Sequence, residues 1–132
     1  MYLLDTNIVS EVLRRQPDPK VIARLRQLEP AAVHSSVITL FELRFRSMLR
    51  DDGAEFWQKI EQEIVPLLRW IEVDRSVASK AGDIAARLQK FGQPIGISDC
   101  LIAATALVHG LVLVSRNVRH FEKVPDLLRE TW

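Results

Sequence analysis

Three carboxylates and one amide stand where apolar runs break: Asp5, Glu42, Asp99 and Asn117. Asp5 closes Met1-Tyr2-Leu3-Leu4. Glu42 follows Val37-Ile38-Thr39-Leu40-Phe41. Asp99 precedes Leu101-Ile102-Ala103-Ala104, and Asn117 follows Leu111-Val112-Leu113-Val114. A carboxylate among apolar neighbours is costly to bury unless positive charge compensates it. Several such groups from distant segments point to a shared divalent cation, since hard cations take oxygen ligands. Each residue also has an ordinary use. Asp5 can cap a helix, Glu42 can pair with Arg46 one helical turn on, and Asp99 suits the positive end of a helix dipole.

The elements that would position these groups alternate between strand and helix. Tyr2–Leu4 reads as a strand, and Asp5 or Thr6 as the cap of a helix running toward Arg15. Pro17 and Pro19 break the chain before a second helix, Lys20 to Leu28. Ala31 to His34 reads as a short strand. Ser35 or Ser36 opens a long helix carrying Ile38, Phe41, Phe45 and Leu49. Asp51-Asp52-Gly53 is turn chemistry. Phe56, Ile60, Ile64 and Leu67 mark another helix, ended or kinked at Pro66. Trp70–Val73 reads as a strand. Asp74 or Ser76 caps the next helix, and Ser98 caps one from Asp99 to His109 that Gly110 ends. Leu111–Val114 is a buried strand pattern. Such alternation predicts an α/β fold with a mainly parallel sheet, whose sites lie at the carboxyl ends of strands.

Composition narrows the function. The chain has 132 residues and a net charge of +1, so any nucleic-acid footprint is local. The one cysteine, Cys100, permits no internal disulfide and reads as a buried small residue. The amino terminus has no signal-peptide pattern and no run is long enough to cross a membrane, which predicts a soluble, cytoplasmic protein. There is no Gly-rich phosphate loop. His34, His109 and His120 share no metal-ligand spacing. Trp57, Trp70 and Trp132 read as core or interface residues. Positive charge near the acidic positions lies at Arg14, Arg15, Arg44 and Arg46, and at Arg116, Arg119 and His120 beside Asn117. The latter three are the best-placed RNA contacts, because phosphate binding is chiefly electrostatic.

Four segments together resemble the PIN-domain ribonucleases: Leu4-Asp5-Thr6-Asn7, Thr39-Leu40-Phe41-Glu42-Leu43, Ile97-Ser98-Asp99-Cys100-Leu101-Ile102-Ala103-Ala104, and Val114-Ser115-Arg116-Asn117-Val118-Arg119-His120-Phe121. The nearest resemblance is to VapC-type toxins of toxin–antitoxin pairs. It implies one PIN domain over residues 1–132, with a three-layer α/β/α fold around a short central sheet. It implies a metal-dependent endoribonuclease, usually a homodimer, held inactive by a small VapB-type antitoxin. In that family the carboxylates matching Asp5, Glu42 and Asp99 hold Mg²⁺ or Mn²⁺, one or two ions per site. Thr6 matches a residue that supports the first aspartate. Many members carry an aspartate where this chain has Asn117.

Within that resemblance, Asp5 and Asp99 are expected to bind metal directly, Glu42 directly or through water, and Asn117 through water. Thr6 and Ser115 are expected to orient the carboxylates. The antitoxin is expected on the helix from Ser36 to Arg50, and Phe41, Phe45, Phe56 and Trp57 are candidates for a dimer or antitoxin surface. A transfer RNA, initiator tRNA first, is the expected substrate. A non-catalytic RNA- or protein-binding PIN module is the competing reading.

Overall fold

The computed structural model describes residues 1–132. Its core is a five-stranded sheet in the order β3-β2-β1-β4-β5, in which every adjacent pair is parallel. The strands are β1 (Tyr2–Leu4), β2 (Val33–Ser36), β3 (Arg69–Ile71), β4 (Val112–Val114) and β5 (Arg129–Glu130). Seven α-helices cover them: α1 (Thr6–Val12), α2 (Pro19–Arg26), α3 (Val37–Met48), α4 (Gly53–Glu63), α5 (Arg75–Lys90), α6 (Ile97–His109) and α7 (Val118–Phe121). This is the three-layer α/β/α architecture, and the sheet is wholly rather than mainly parallel.

Strand alternation divides the interior in two. Side chains two apart on a strand share a face. Leu3 and Leu113 join a cluster with Val77, Ile84 and Leu88 of α5 and Ile102 and Ala106 of α6. Leu4 and Val114, one position on, join Ile8 and Val9 of α1, Val21 of α2, Leu43 of α3 and Ile60 of α4. Each face of the sheet is therefore sealed by its own helices. The central strands are short, continuous apolar runs, as a sheet buried on both sides requires.

Element boundaries differ from the sequence reading where local chemistry overrides it. α1 ends at Val12, so Arg14 and Arg15 leave the helix before Pro17. Pro30 opens a 3₁₀ turn over Pro30–Ala32, which delays β2 to Val33–Ser36. Pro66 sits in a second 3₁₀ turn, Val65–Leu67, that terminates α4. Ser98 is not a cap: α6 begins at Ile97 with Gly96 at its N-cap, where the Gly96 carbonyl accepts from the Cys100 amide at 3.0 Å. Asp5, Ser36 and Asp74 do cap their helices, accepting from the amides of Thr6, Ile38 and Val77. Gly110 closes α6 with φ 65°, in the left-handed region that favours glycine. β5 has no pattern of its own at two residues, and the sequence reading did not contain it.

Candidate active site

The carboxyl ends of β1, β2 and β4 converge, and three helices start there. β1 delivers Asp5, only 4% exposed. Its backbone amide extends the ladder to the Val114 carbonyl at 2.9 Å, so the main chain is fixed up to the functional residue. One carboxylate oxygen, Oδ1, accepts from the Thr6 amide at 2.7 Å. The other, Oδ2, accepts from the Ser115 hydroxyl at 2.6 Å.

Ser115 lies just past β4 and uses its whole hydrogen-bonding capacity. It donates to Asp5 and accepts from the Asn117 amide at 2.9 Å and from the Asn7 side-chain amide at 3.4 Å. Asn7 in turn accepts from the Arg116 amide at 3.3 Å.

Helix α3 brings in the second acid. Glu42 Oε1 stands 2.9 Å from Thr6 Oγ1, and the same hydroxyl lies 3.1 Å from that of fully buried Thr39. Thr6 thus links α1 to α3 and holds Glu42 toward Asp5. The far oxygen of Glu42 has only Arg46 nearby, at 3.9 Å. The sequence reading did not mark Thr39. One buried hydroxyl in an apolar stretch resembles any small core residue until its partner is known.

Helix α6 brings in the third. Asp99, partly buried in the first turn, places Oδ2 2.6 Å from His120 Nδ1. Asn117 Nδ2 lies 2.8 Å from the same ring nitrogen. That nitrogen carries at most one hydrogen, and an ionised carboxylate can only accept. With the hydrogen shared toward Asp99, the Asn117 amide fits only with its oxygen turned to the ring. His120 therefore contacts the acidic cluster instead of standing free for RNA.

Electrostatics tie the three acids together. Burial holds the Asp5 carboxyl above its ordinary value. The Ser115 and Thr6 hydrogen bonds oppose that, and the charges of Asp99 and Glu42 reinforce it. No cationic side chain bonds Asp5. Beside Asp99, the Cys100 thiol is raised by burial and then by the Asp99 charge, which leaves it an inert core thiol.

Of the expected RNA contacts, only Arg119 is exposed and unpaired. Arg116 is committed to protein: 2.7 Å to Asp18, 3.6 Å to Glu11, and 3.3 Å to the Trp132 carbonyl. It fastens the Ser115–Asn117 turn to the α1–α2 connection and to the carboxyl terminus. The sequence shows its charge but not these partners, which are distant along the chain.

A PIN-domain family model matches residues 2–127. The chain belongs to the PIN-domain family. Among its relatives, Toxin FitB of Neisseria gonorrhoeae is 37% identical over 92% of this chain and 91% of its own length. A tRNA(fMet)-specific endonuclease VapC of Shigella flexneri is 31% identical over 99% of this chain and 97% of its own. Among solved structures, DNA-bound VapBC from Salmonella typhimurium superposes with a TM-score of 0.91 at 29% identity, covering 99% of this chain and 97% of that one. In this PIN chain the four sequence blocks meet at one end of the sheet.

The donor chemistry fits a hard divalent cation. The ligand candidates are all oxygens, one carboxylate is buried without a cation, and its neighbours are acids. No three of the His, Cys, Asp and Glu side chains close into a chelate as they stand. Mg²⁺ does not require such a preformed chelate, because it is commonly held by one or two carboxylates and several waters.

Proposed function

We propose that this chain is the toxin of a toxin–antitoxin pair, a Mg²⁺- or Mn²⁺-dependent endoribonuclease. The single observation that carries the reading is the acidic cluster itself: Asp5, buried and without a cation, beside Glu42 and Asp99 at the carboxyl end of a parallel sheet. Relatives named as ribonucleases and as a tRNA(fMet)-specific endonuclease support cleavage of RNA, with initiator tRNA as first candidate. Solved VapBC assemblies support a small VapB-type antitoxin as partner.

Asp5 and Asp99 hold the cation, and Glu42 holds it directly or through water. A divalent cation bound there acidifies water and relieves charge on phosphoryl oxygens. Ser115 and Thr6 keep the carboxylates of Asp5 and Glu42 in place before substrate arrives, so they need not reorganise during reaction. His120 and Asn117 do the same for Asp99. Thr39 backs Thr6 from the core. Arg119, exposed and unpaired next to His120, contacts the RNA backbone, positioning it without reading bases.

The antitoxin docks on α3. Phe41 and Phe45 stack there at 6.3 Å while 63% and 57% exposed, with Met48 and Leu49 beside them. Phe56 and Trp57 are half-buried and present less surface than Phe41 and Phe45. Both pack against the core, with Arg50 and Arg44 lying over their rings at 3.9 and 4.9 Å. The chain also pairs with a second copy of itself and works in the cytoplasm. None of its helices is long and apolar enough to cross a membrane.

The experiment is cleavage of a tRNA pool by the purified chain with Mg²⁺, Mn²⁺ or a chelator. Cleavage requires metal, and Asp5→Asn and Asp99→Asn each abolish it. Full activity in both variants would remove the assignment. The alternative is a non-catalytic module, and calorimetric titration showing no binding at millimolar Mg²⁺ or Mn²⁺ selects it.

A further inference from the structure

Next to the acids lies a groove of about 710 Å³ between α1, α3 and α4. Its wall carries Arg14, Arg15, Arg46, Arg50 and Lys59 against only Asp52 and Glu55. Five of the chain's 18 lysines and arginines therefore line one groove.

The groove begins where the acidic cluster ends. On α1, Ser10 lies one turn beyond Thr6. On α3, Arg46 lies one turn beyond Glu42, and Arg50 just past the helix continues the row. The two rows touch, because Arg46 bonds the Ser10 hydroxyl at 3.3 Å and approaches Glu42 at 3.9 Å. Two helical turns, about 11 Å, thus lead from a carboxylate of the site into a basic trough.

Three of the five cations have an acidic neighbour: Arg14 with Glu11, Arg46 with Glu42, Arg50 with Asp52. Arg15 and Lys59 have none. Both are exposed and line the groove, Arg15 from the segment after α1 and Lys59 from α4.

We propose that this groove is an RNA-backbone track. It holds the phosphates of a single-stranded segment flanking the scissile bond, with Arg15 and Lys59 as its principal contacts and Arg46 at the junction with the site. The inference rests on the nuclease reading above. Leu13, Leu43 and Phe56 also line the trough, but its two unpaired cations, Arg15 and Lys59, favour phosphate as the occupant.

The test uses the full chain carrying Asp99→Asn, so that bound RNA is not consumed, and fluorescence anisotropy with a labelled single-stranded RNA across a salt series. Arg15→Ala and Lys59→Ala each weaken binding about fivefold at 0.1 M salt and reduce the log–log salt slope by about 0.7, as loss of one phosphate contact predicts. Lys80→Ala and Lys90→Ala, on α5 outside the groove, change neither. Thermal melting checks that each variant folds.

Unchanged RNA affinity and slope in the double variant Arg15→Ala/Lys59→Ala overturns the proposal. So does the pattern in which that variant loses antitoxin binding while RNA binding is retained, which makes the trough a protein-docking surface. The two readings fail separately. Wild-type chain that never cleaves RNA with any divalent cation sinks the nuclease, whereas metal-dependent cleavage with an unaltered KM in the double variant sinks only the track.

Discussion

Ser115 has one hydroxyl hydrogen, and it points at Asp5. Remove it and Asp5 Oδ2 loses its only bonded partner inside a nearly closed environment. Ser115→Ala is expected to weaken Mn²⁺ binding, measured by calorimetry, by about 10- to 100-fold, the usual cost of losing a group that orients a metal ligand. Binding unchanged would mean the hydroxyl serves only the turn. Arg116 gives the contrasting case. Because its guanidinium is held by Asp18, Glu11 and the Trp132 carbonyl, Arg116→Ala should lower the melting temperature and slow cleavage. It should leave the salt slope of RNA binding where it was. A slope that falls by about 0.7 would restore Arg116 as a phosphate ligand. The sequence makes Asp5, Glu42 and Asp99 conspicuous because acids rarely sit among apolar neighbours. It does not reveal that Arg116 and His120 already have partners, since a charge says nothing about what folds against it.

At the level of elements, α3 carries both halves of the argument: a buried side that supports Glu42 and an exposed side that presents Phe41 and Phe45. Replacing both phenylalanines by serine should leave the melting temperature and RNA cleavage intact while weakening antitoxin binding at least tenfold, about 1.4 kcal/mol. Retained affinity would move the partner to another face. The approach of α4 to α3 depends on one glycine. A Cβ built at Gly53 would lie 2.2 Å from the Ser47 carbonyl oxygen, which cannot withdraw because it belongs to the helix backbone. Gly53→Ala is therefore expected to destabilise by roughly 1–3 kcal/mol in denaturant unfolding, the common cost of overpacking, and a neutral result would mean the helices part freely. Here the sequence was legible in kind and blurred at the edges. Turn chemistry at Asp51-Asp52-Gly53 can be read directly, whereas the caps are legible only as a choice of Ser35 or Ser36 and of Asp74 or Ser76, which folding resolves to Ser36 and Asp74. The 3₁₀ turns at Pro30 and Pro66 and the two-residue β5 cannot be read, because tertiary pairing decides them.

For the molecule as a whole, the cluster should make stability depend jointly on pH and metal. Asp5 is the informative group. Its folded carboxyl titrates above the ordinary 3.8, chiefly through burial. Between 3.8 and that raised value the native state holds a proton that the unfolded chain has released. Stability contributed by Asp5 therefore falls as pH rises through the window, and stays lost above it. Glu11, Asp18 and Asp52 act in the opposite direction. Each is held below its ordinary value, first by the Asp18 amide, the Lys20 amide and the Arg50 side chain respectively, so their contributions are present at neutral pH and lost on acidification. The Asp5 contribution must accordingly be isolated as a difference between wild type and Asp5→Asn. In chelator, the variant should gain on wild type as pH rises from about 4 to about 8, because it carries no ionisable group at the buried position. With Mn²⁺ the order should reverse. The cation binds the ionised carboxylate of the wild type alone and stabilises only what it binds, so the wild-type melting temperature rises with metal and the variant's barely moves. Parallel melting curves for the two proteins at every pH, with and without Mn²⁺, would separate Asp5 from the metal and dismantle the site at its centre.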